Sequence, residues 1–444
     1  MKKTYASIVF IFAIILIFAF PVPTLAISIP DDIPYILIDS KTGLVIAEQH
    51  ADMRLRPAST TKIMTAIIAL ENGNLKQEME VSQQAVYDIG RGGMNIGIMA
   101  GEQGLTLENM LNAMLIKSAN EAANIIAENV APSRAEFIEM MNRKAAELGA
   151  VNTNFVNPSG KDTEKEDAAH LSTPRDMATI ARYAMTIPKF REIVSTEYYN
   201  DMPVTDKHDD WGILRNTNQF LWYDNTFPYT LDGEEYKCEI IGIKTGYTAE
   251  AGNNLITAAV GKDGMELIAV VMHVMQPNKI YGYSRELLQY GFENYSLKTI
   301  AEAGEILDRI IVEGAAPEEN LLPLATETDF KCALPLGAGI QDIESEIHVE
   351  KNVEAPVKKG DILGYVEYKY KGTVLGKVNL IAYMTVEAVP VDTFETPGLS
   401  AYGEQPYSSV IMGILLVSSG FIILRTILRQ ISRRVNRKKY RQRY

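Results

Sequence analysis

The chain has 444 residues, more than one average domain needs, so we expect two folded units. Hydrophobic residues make up 47% and charged residues 22%, an ordinary globular balance that allows a sizeable core. The formal net charge of −13 argues against nucleic acid as a partner.

The first 26 residues have the pattern of a cleavable signal peptide. Lys2 and Lys3 precede an unbroken apolar run over 8–20, and a small-x-small site ends the segment at 24–26. A membrane span needs about 20 residues, so the short apolar run favours cleavage over an uncleaved anchor helix. We therefore expect the remainder of the chain to be exported.

Residues 27–292 alternate between strand-like and helix-like stretches. Short apolar runs bounded by turn residues predict strands, and apolar residues at helical spacing predict helices. The predicted strands are 35–38, 44–47, 239–245, 254–260 and 265–272, and the predicted helices are 59–70, 107–129 with a break near 118, 133–148 and 173–185, the last stopping before Pro188. Helices combined with an antiparallel sheet predict an α+β domain.

Helical periodicity is mostly lost from residue 297 onward. Short strands punctuated by Gly and Pro predict a small β-rich domain over 297–390, with strands at 344–349, 362–370, 373–380 and 384–389. Residues 391–406, rich in Pro, Gly, Thr, Ser and Glu, predict an extended linker.

The C-terminal segment has the composition of a membrane anchor. Residues 407–428 are mostly apolar and long enough to span a bilayer, with Arg425 reaching the interface. The tail 429–444 is basic and contains no acid, which predicts a cytoplasmic side. The cell membrane is therefore the expected location, with the folded domains outside the cytoplasm. Without the terminal segments the exported part has 32 basic groups against 56 acids, a charge of about −24.

Cysteine and histidine usage adds little chemistry. Cys238 and Cys332 are the only cysteines, 94 positions apart in what we interpret as different domains, and the sequence leaves open whether they are bridged. The five histidines are scattered without an H-E-x-x-H pattern, so no metal or cofactor is predicted.

The first candidate motif is Ser59-Thr60-Thr61-Lys62 at the start of an apolar helix. Residues three apart share a helix face, so the Lys62 amine can point at the Ser59 hydroxyl. A serine needs an adjacent base to become a nucleophile, and a lysine can serve if its pKa is lowered. Alone the pattern is weak, because a helix N-cap followed by an exposed lysine gives the same letters.

Two further motifs carry polar groups suited to a peptide substrate. In Ser118-Ala119-Asn120, the serine could carry a proton and the amide could bind substrate or orient Lys62. In Lys244-Thr245-Gly246, at a strand end, the polar side chains could meet a carboxylate and the glycine would let a substrate backbone approach. The same tripeptide at 41–43 lies in a predicted hairpin turn, so we favour the later copy.

The order S-x-x-K, S-x-N, K-T-G within one exported domain changes the interpretation. With the stretches P-A-S-T-T-K-I-M-T-A (57–66), L-I-K-S-A-N-E-A-A (115–123), N-P-S-G (157–160) and G-I-K-T-G-Y-T (242–248), the sequence resembles the D-alanyl-D-alanine carboxypeptidases among the low-molecular-mass penicillin-binding proteins. The resemblance covers roughly 30–390. It implies a β-lactamase/transpeptidase-like α+β domain over 27–292, a small all-β domain and a C-terminal membrane anchor, here a transmembrane helix.

The resemblance also implies an acyl-transfer reaction on peptidoglycan stem peptides. Ser59 would be the nucleophile, Lys62 its base and Ser118 the proton relay, with Asn120 supporting the site. Backbone N–H groups of Ser59 and Tyr247 would form the oxyanion hole. Lys244 and Thr245 would hold the terminal carboxylate beside Gly246, and β-lactam antibiotics would acylate Ser59 as substrate mimics.

One departure from the family pattern affects the carboxylate site. Many relatives carry a basic residue in the helix before the stretch at 287–292; here Lys279 is the nearest candidate, and Ile280 takes the aligned place. Two other functions remain as alternatives: a β-lactamase-like enzyme, against which the chain lacks E-x-x-L-N between 118 and 244, and a penicillin sensor, against which the predicted cytoplasmic tail is short.

Overall fold

The computed structural model describes residues 27–90, 92–162 and 169–389. The predicted signal peptide 1–26, linker 391–406, transmembrane segment 407–428 and tail 429–444 lie outside these ranges. None of the helices in the three described ranges is long and apolar enough to cross a membrane. The described residues up to Ala388 form one compact unit.

A six-stranded antiparallel sheet is the centre of the N-terminal domain. The strands of this domain are β1 (Tyr35–Asp39), β2 (Val45–Gln49), β3 (Tyr198–Tyr199), β4 (Leu214–Arg215), β5 (Thr226–Leu231), β6 (Glu234–Thr248), β7 (Gly252–Val260) and β8 (Glu266–Val274). The sheet order is β2-β1-β8-β7-β6-β5, and β3 pairs separately with β4. The first hairpin, β1–β2, thus lies next to β8, the last strand of this sheet, which brings the two ends of the domain together.

Helices cover both faces of this sheet. They are α1 (Lys62–Asn72), α2 (Gln83–Tyr87), α3 (Leu107–Ile116), α4 (Asn120–Val130), α5 (Arg134–Glu147), α6 (Pro174–Met185), α7 (Pro188–Ser195), α8 (Phe220–Tyr223) and α9 (Ile280–Asn294). Ser133 and Thr173, the first residues of two predicted helices, are the N-caps of α5 and α6, because their hydroxyls accept hydrogen bonds from the backbone N–H groups three residues on.

Alternation along the strands explains why both faces are buried. In β1, Ile36 and Ile38 pack into the core shared with α1 and α3–α7. Tyr35 and Leu37 point the other way, into the core shared with α8 and α9. Successive side chains of a strand point to opposite faces. Because β1 is apolar at successive positions, both of its faces must be covered. The predicted α+β class is therefore confirmed.

The C-terminal domain is all-β apart from one short 3₁₀ turn. Its strands are β9 (Tyr295–Ala301), β10 (Ile306–Ile311), β11 (Leu321–Thr326), β12 (Phe330–Pro335), β13 (Ile343–Val349), β14 (Ile362–Tyr370) and β15 (Thr373–Ala382). Five form a sheet in the order β10-β11-β15-β14-β13, and β9 pairs with β12. On β12, Ala333 packs into the core beside α9, whereas Cys332 and Leu334 pack into the β-domain core.

Several predicted boundaries differ from the structure. The predicted strand at 384–389 is wrong: only Val386 is buried there, and it forms one isolated bridge with Val357. Helix α7 was not predicted, because Pro188 suggested only a stop. A proline at the first helical position lacks an N–H that would be unpaired in any case, so it also starts a helix well.

The two cysteines are free thiols. Cys238 is buried in the core beside α9 and Cys332 in the β-domain core. Burial raises the pKa of each thiol to about 12. The question that the sequence left open is thus answered: the chain folds without a bridge between them.

Candidate active site

The first motif lies where a short 3₁₀ turn passes into α1. Ser59 belongs to the turn Ala58–Thr61, and Lys62 is the first residue of the helix. Lys62 Nζ lies 2.9 Å from Ser59 Oγ. The three-residue spacing therefore places the amine against the hydroxyl, as predicted, and Ser59 remains accessible from outside because it lines a cavity.

Lys62 is completely buried among polar acceptors. Besides Ser59, its amine donates to Asn120 Oδ1 at 2.7 Å and to the Ser159 carbonyl oxygen at 2.6 Å. Burial, reinforced by the nearby Lys244 and opposed by Glu121, holds the pKa of Lys62 well below its usual range. A neutral amine has two N–H groups and one lone pair. Two acceptors use the N–H groups, which leaves the lone pair for the Ser59 hydroxyl proton.

The second motif lies at the break between two consecutive helices. Ser118 separates α3 from α4 and has a φ of 63°, a conformation that side-chain-bearing residues rarely adopt and that often marks a functional site. Asn120 begins α4, is 4% exposed, and donates its backbone N–H to the Met94 carbonyl at 2.8 Å. The break thus places Ser118 and Asn120 on the cavity wall, with the Asn120 amide oxygen against Lys62, and the predicted interruption near 118 is confirmed.

The third motif lies near the end of β6. β6 pairs with β5 only as far as Glu239, whereas on its other side it pairs with β7 up to Thr248. Beyond Ile240, none of the described strands pairs with this edge of β6, which can therefore accept an added strand. Thr245 lies on this stretch, and its hydroxyl donates to Thr217 Oγ1 at 2.7 Å.

Lys244 is a second buried lysine. The residue is 1% exposed, and its amine donates a hydrogen bond to the Thr245 carbonyl at 3.0 Å. Burial lowers the pKa of Lys244 from 10.5 to about 7. Lys244 can therefore lose its proton near neutral pH, and a bound anion would favour its charged form.

Gly246 brings β6 against the nucleophile turn. A side chain on Gly246 would begin 3.0 Å from the Pro57 carbonyl and 3.2 Å from the Ser59 nitrogen, closer than ordinary packing allows. The strand can approach Ser59 because this residue has no Cβ. Tyr247, the next residue, is 63% exposed.

The three motifs meet at one cavity of about 520 Å³. Six predicted site residues line it: Ser59, Ser118, Asn120, Thr245, Gly246 and Tyr247. Lys62 and Lys244 are buried behind this wall, each in contact with a lining residue. All eight residues predicted from the sequence therefore lie together.

Three contributors were missed by sequence reasoning. The Ser159 carbonyl binds Lys62, Thr217 binds Thr245, and Asn254 holds the segment before the nucleophile by donating to the Arg56 carbonyl at 2.9 Å. The stretch N-P-S-G was a usable signal for the first, because Asn157 Oδ1 accepts the Gly160 N–H at 2.7 Å and shapes the turn. Nothing local in the sequence marks Thr217 or Asn254.

The structure also separates competing candidates. Residues 41–43 form the β1–β2 turn, where Asp39 accepts hydrogen bonds from Thr42, and Lys41 does not line the cavity. Ile280 lines the cavity, whereas Lys279 is exposed and does not. The wall at this position is therefore apolar.

Comparisons with known proteins agree with this geometry. The profile of the D-alanyl-D-alanine carboxypeptidase family matches residues 31–276, and that of the penicillin-binding protein 5 C-terminal domain matches residues 295–388. D-alanyl-D-alanine carboxypeptidase DacF of Bacillus subtilis is 29% identical over 362 residues, 81% of this chain and 87% of that protein. DacA of Haemophilus influenzae is 27% identical over 352 residues, 78% of this chain and 83% of that protein.

A solved structure extends the agreement to the fold. The crystal structure of penicillin binding protein 5 from Haemophilus influenzae superposes with a TM-score of 0.61 at 25% identity, covering 80% of this chain and 97% of the other. The chain belongs to the D-alanyl-D-alanine carboxypeptidase family, which is a family of serine peptidases.

Proposed function

We propose that this chain is a serine-type D-alanyl-D-alanine carboxypeptidase that removes the terminal D-alanine from peptidoglycan stem peptides through an acyl-enzyme on Ser59. One observation carries the proposal. The buried Lys62 amine lies within hydrogen-bonding distance of Ser59, Asn120 and Ser159, an arrangement suited to a neutral lysine acting as base. Family membership supports the reaction and the substrate class.

Acylation follows from this arrangement. Lys62 takes the Ser59 hydroxyl proton while Oγ attacks the carbonyl carbon of the penultimate D-alanine. The peptide C–N bond then breaks, and Ser118 passes the proton to the departing amine of the terminal D-alanine. The product is an ester between Ser59 and the shortened peptide, with the lysine again neutral.

Two groups of the reacting substrate carry negative charge, the terminal carboxylate and the oxyanion, and the site binds each at a different place. Thr245, with Lys244 behind it, receives the terminal carboxylate, whose negative charge favours protonation of Lys244. The backbone N–H groups of Ser59 and Tyr247 stabilise the oxyanion, and the absence of a side chain on Gly246 keeps them close together. Water then hydrolyses the ester and frees Ser59.

Penicillins fit the same path, because a β-lactam presents a strained amide and a carboxylate in place of the peptide terminus. A solved structure similar to this chain is of a penicillin binding protein, which supports such a reaction here. We propose acylation of Ser59 by β-lactams as a property of this site.

The terminal segments suggest where the reaction takes place. The signal-peptide pattern of 1–26, the apolar run of 407–428 and the basic tail 429–444 support a protein held in the cell membrane. The enzymatic domain would then face the cell wall and the tail the cytoplasm.

A direct assay tests the reaction. Purified protein should release D-alanine from a peptide ending in D-Ala-D-Ala and should be labelled by a fluorescent penicillin, and Ser59→Ala should abolish both. Labelling without D-alanine release would favour a penicillin sensor, and rapid penicillin turnover would favour a β-lactamase. An intact protein that takes up no label would contradict the acyl-enzyme mechanism.

A separate experiment tests the anchor. Deletion of residues 407–444 should move the protein from the membrane fraction to the soluble fraction and leave its rate on a small peptide unchanged. Retention of the shortened protein in the membrane would refute the proposed role of this segment, and loss of the rate would show that it does more than anchor.

A further inference from the structure

The cavity continues beyond the three motifs to the turn between β6 and β7. Thr248, Ala249 and Glu250 line this end. The turn is closed by the Ala251 N–H, which donates to Thr248 Oγ1 at 3.0 Å, and Glu250 is exposed at its tip. A carboxylate therefore lies at the cavity rim, in line with the strand that carries Thr245 and Gly246.

The order of residues along β6 gives the direction of a bound peptide. Thr245 is the proposed carboxylate contact, and Gly246 lies against Ser59, where the scissile carbonyl must be. A peptide with its terminus at Thr245 and its scissile bond at Gly246 runs antiparallel to β6. Its preceding residues then lie beside Tyr247 and Thr248 and point toward Glu250.

The distance from Gly246 to Glu250 suits the side chain of the substrate residue that precedes D-Ala-D-Ala. Glu250 follows Gly246 by four positions, at most about 13 Å for an extended strand and less across a turn. The residue before the D-Ala-D-Ala pair lies one to two residues from the scissile carbonyl. A long side chain such as that of lysine covers the remaining distance to the turn.

Glu250 differs from the other charged groups on the cavity wall. Asp162 is paired with Arg56 at 2.6 Å. Lys161 lies against Gly93, on the wall that contains Asn120. Across ranges 27–90, 92–162 and 169–389, the Glu250 carboxylate makes no ion pair or hydrogen bond. Its charge is therefore available to a ligand.

We infer that Glu250 is a specificity-determining residue, which binds a side-chain amine on the substrate residue that precedes D-Ala-D-Ala. The inference rests on the proposed function, because the direction of the peptide follows from the position of the scissile bond. An ammonium group is the matching chemistry for an exposed carboxylate, and the pair would be weak and sensitive to salt.

Two peptides that differ in one charge test the inference. Both are acetyl-lysyl-D-alanyl-D-alanine, one with a free ε-amine and one with that amine acetylated. For the full-length chain in detergent at low salt, kcat/KM should be about two- to five-fold higher for the free amine, as for an exposed ion pair. Glu250→Gln should bring this ratio close to one, Glu250→Lys should invert it, and added salt should reduce it in the wild type.

A matched control separates the effect of the Glu250 contact from the effect of the protein's overall negative charge. Glu235 is exposed near the start of β6, at the opposite end of that strand from the turn that carries Glu250, and it does not line the cavity, so Glu235→Gln should keep the wild-type ratio. A wild-type ratio of one, a ratio unchanged in Glu250→Gln, or an equal loss in Glu235→Gln would each overturn the inference. If neither peptide is cleaved and penicillin does not label the chain, the proposed function itself fails, and the inference with it.

Discussion

Replacement of Lys244 by methionine should stabilise the fold most strongly near neutral pH. In the native chain the pKa of this amine is about 7, against an ordinary 10.5. Between these values the unfolded chain holds a proton that the folded chain has released. The free energy of unfolding therefore rises with pH across this window, and falls as pH drops toward 7. Methionine has a similar length and no charge, so it removes this contribution.

The magnitude follows from the difference between the two pKa values. The penalty for burying Lys244 is about 4 kcal/mol at pH 7 and about 2 kcal/mol at pH 9, at about 1.4 kcal/mol per pKa unit. The advantage of Lys244→Met over wild type should thus shrink by about 2 kcal/mol between pH 7 and pH 9. Any difference between the charged and the neutral amine in the hydrogen bond to the Thr245 carbonyl is already contained in the pKa, and the remainder cancels from this comparison. Lys244→Met also removes the charge repulsion that Lys244 exerts on Lys62, and this stabilises the variant further.

Urea denaturation followed by tryptophan fluorescence measures this effect. Trp211 and Trp222 are the only tryptophans in the sequence, and both belong to the N-terminal domain, so the signal reports its unfolding. Lys237→Met is the matched control, because Lys237 is exposed on the same strand and has no burial penalty to relieve. A stability difference between Lys244→Met and wild type that stays constant from pH 7 to pH 9 would refute the reasoning.

Three other substitutions test the site. Asn120→Asp should place a negative charge 2.7 Å from the Lys62 amine, raise the pKa of Lys62 and move the acidic limb of the pH profile of kcat/KM to higher pH; an unmoved limb would contradict Lys62 as the base. Gly246→Ala should lower kcat/KM at least about ten-fold by pushing the strand away from Ser59, whereas Gly282→Ala, with open space around it, should leave the rate unchanged. Gly160→Ala should cost more than about 3 kcal/mol in urea denaturation, because its Cβ would lie 1.8 Å from the Ala58 carbonyl at a φ of +75°; a smaller loss would mean that the turn moves aside.

The features predicted best from the sequence depend on neighbours in the chain. The three-residue spacing of Ser59 and Lys62 fixes one helix face, and the break at Ser118 follows from polar residues in an apolar helical stretch. The contacts of Ser159 and Thr217 were not predictable in the same way. One is a backbone carbonyl and the other joins segments 28 residues apart, so both depend on tertiary packing.

Strands were harder to predict in the β domain than in the N-terminal sheet. β14 was predicted with its observed bounds, because its buried residues alternate. β10 was missed, since it lies at a sheet edge and its side chains are mostly exposed, which leaves no apolar alternation to detect. β6 proved much longer than predicted, because its exposed first half is held by pairing with β5 rather than by burial.

The two free thiols give each domain its own internal reporter. Cys238 and Cys332 occupy separate cores, and both thiols are protonated at neutral pH, so a thiol reagent reacts with either only after the surrounding core opens. Pulse alkylation in increasing denaturant, followed by mass spectrometry of the two peptides, would therefore time the opening of the two domains independently in one unmodified chain. Folding also needs no disulfide-forming catalyst, because neither thiol is oxidised in the native state.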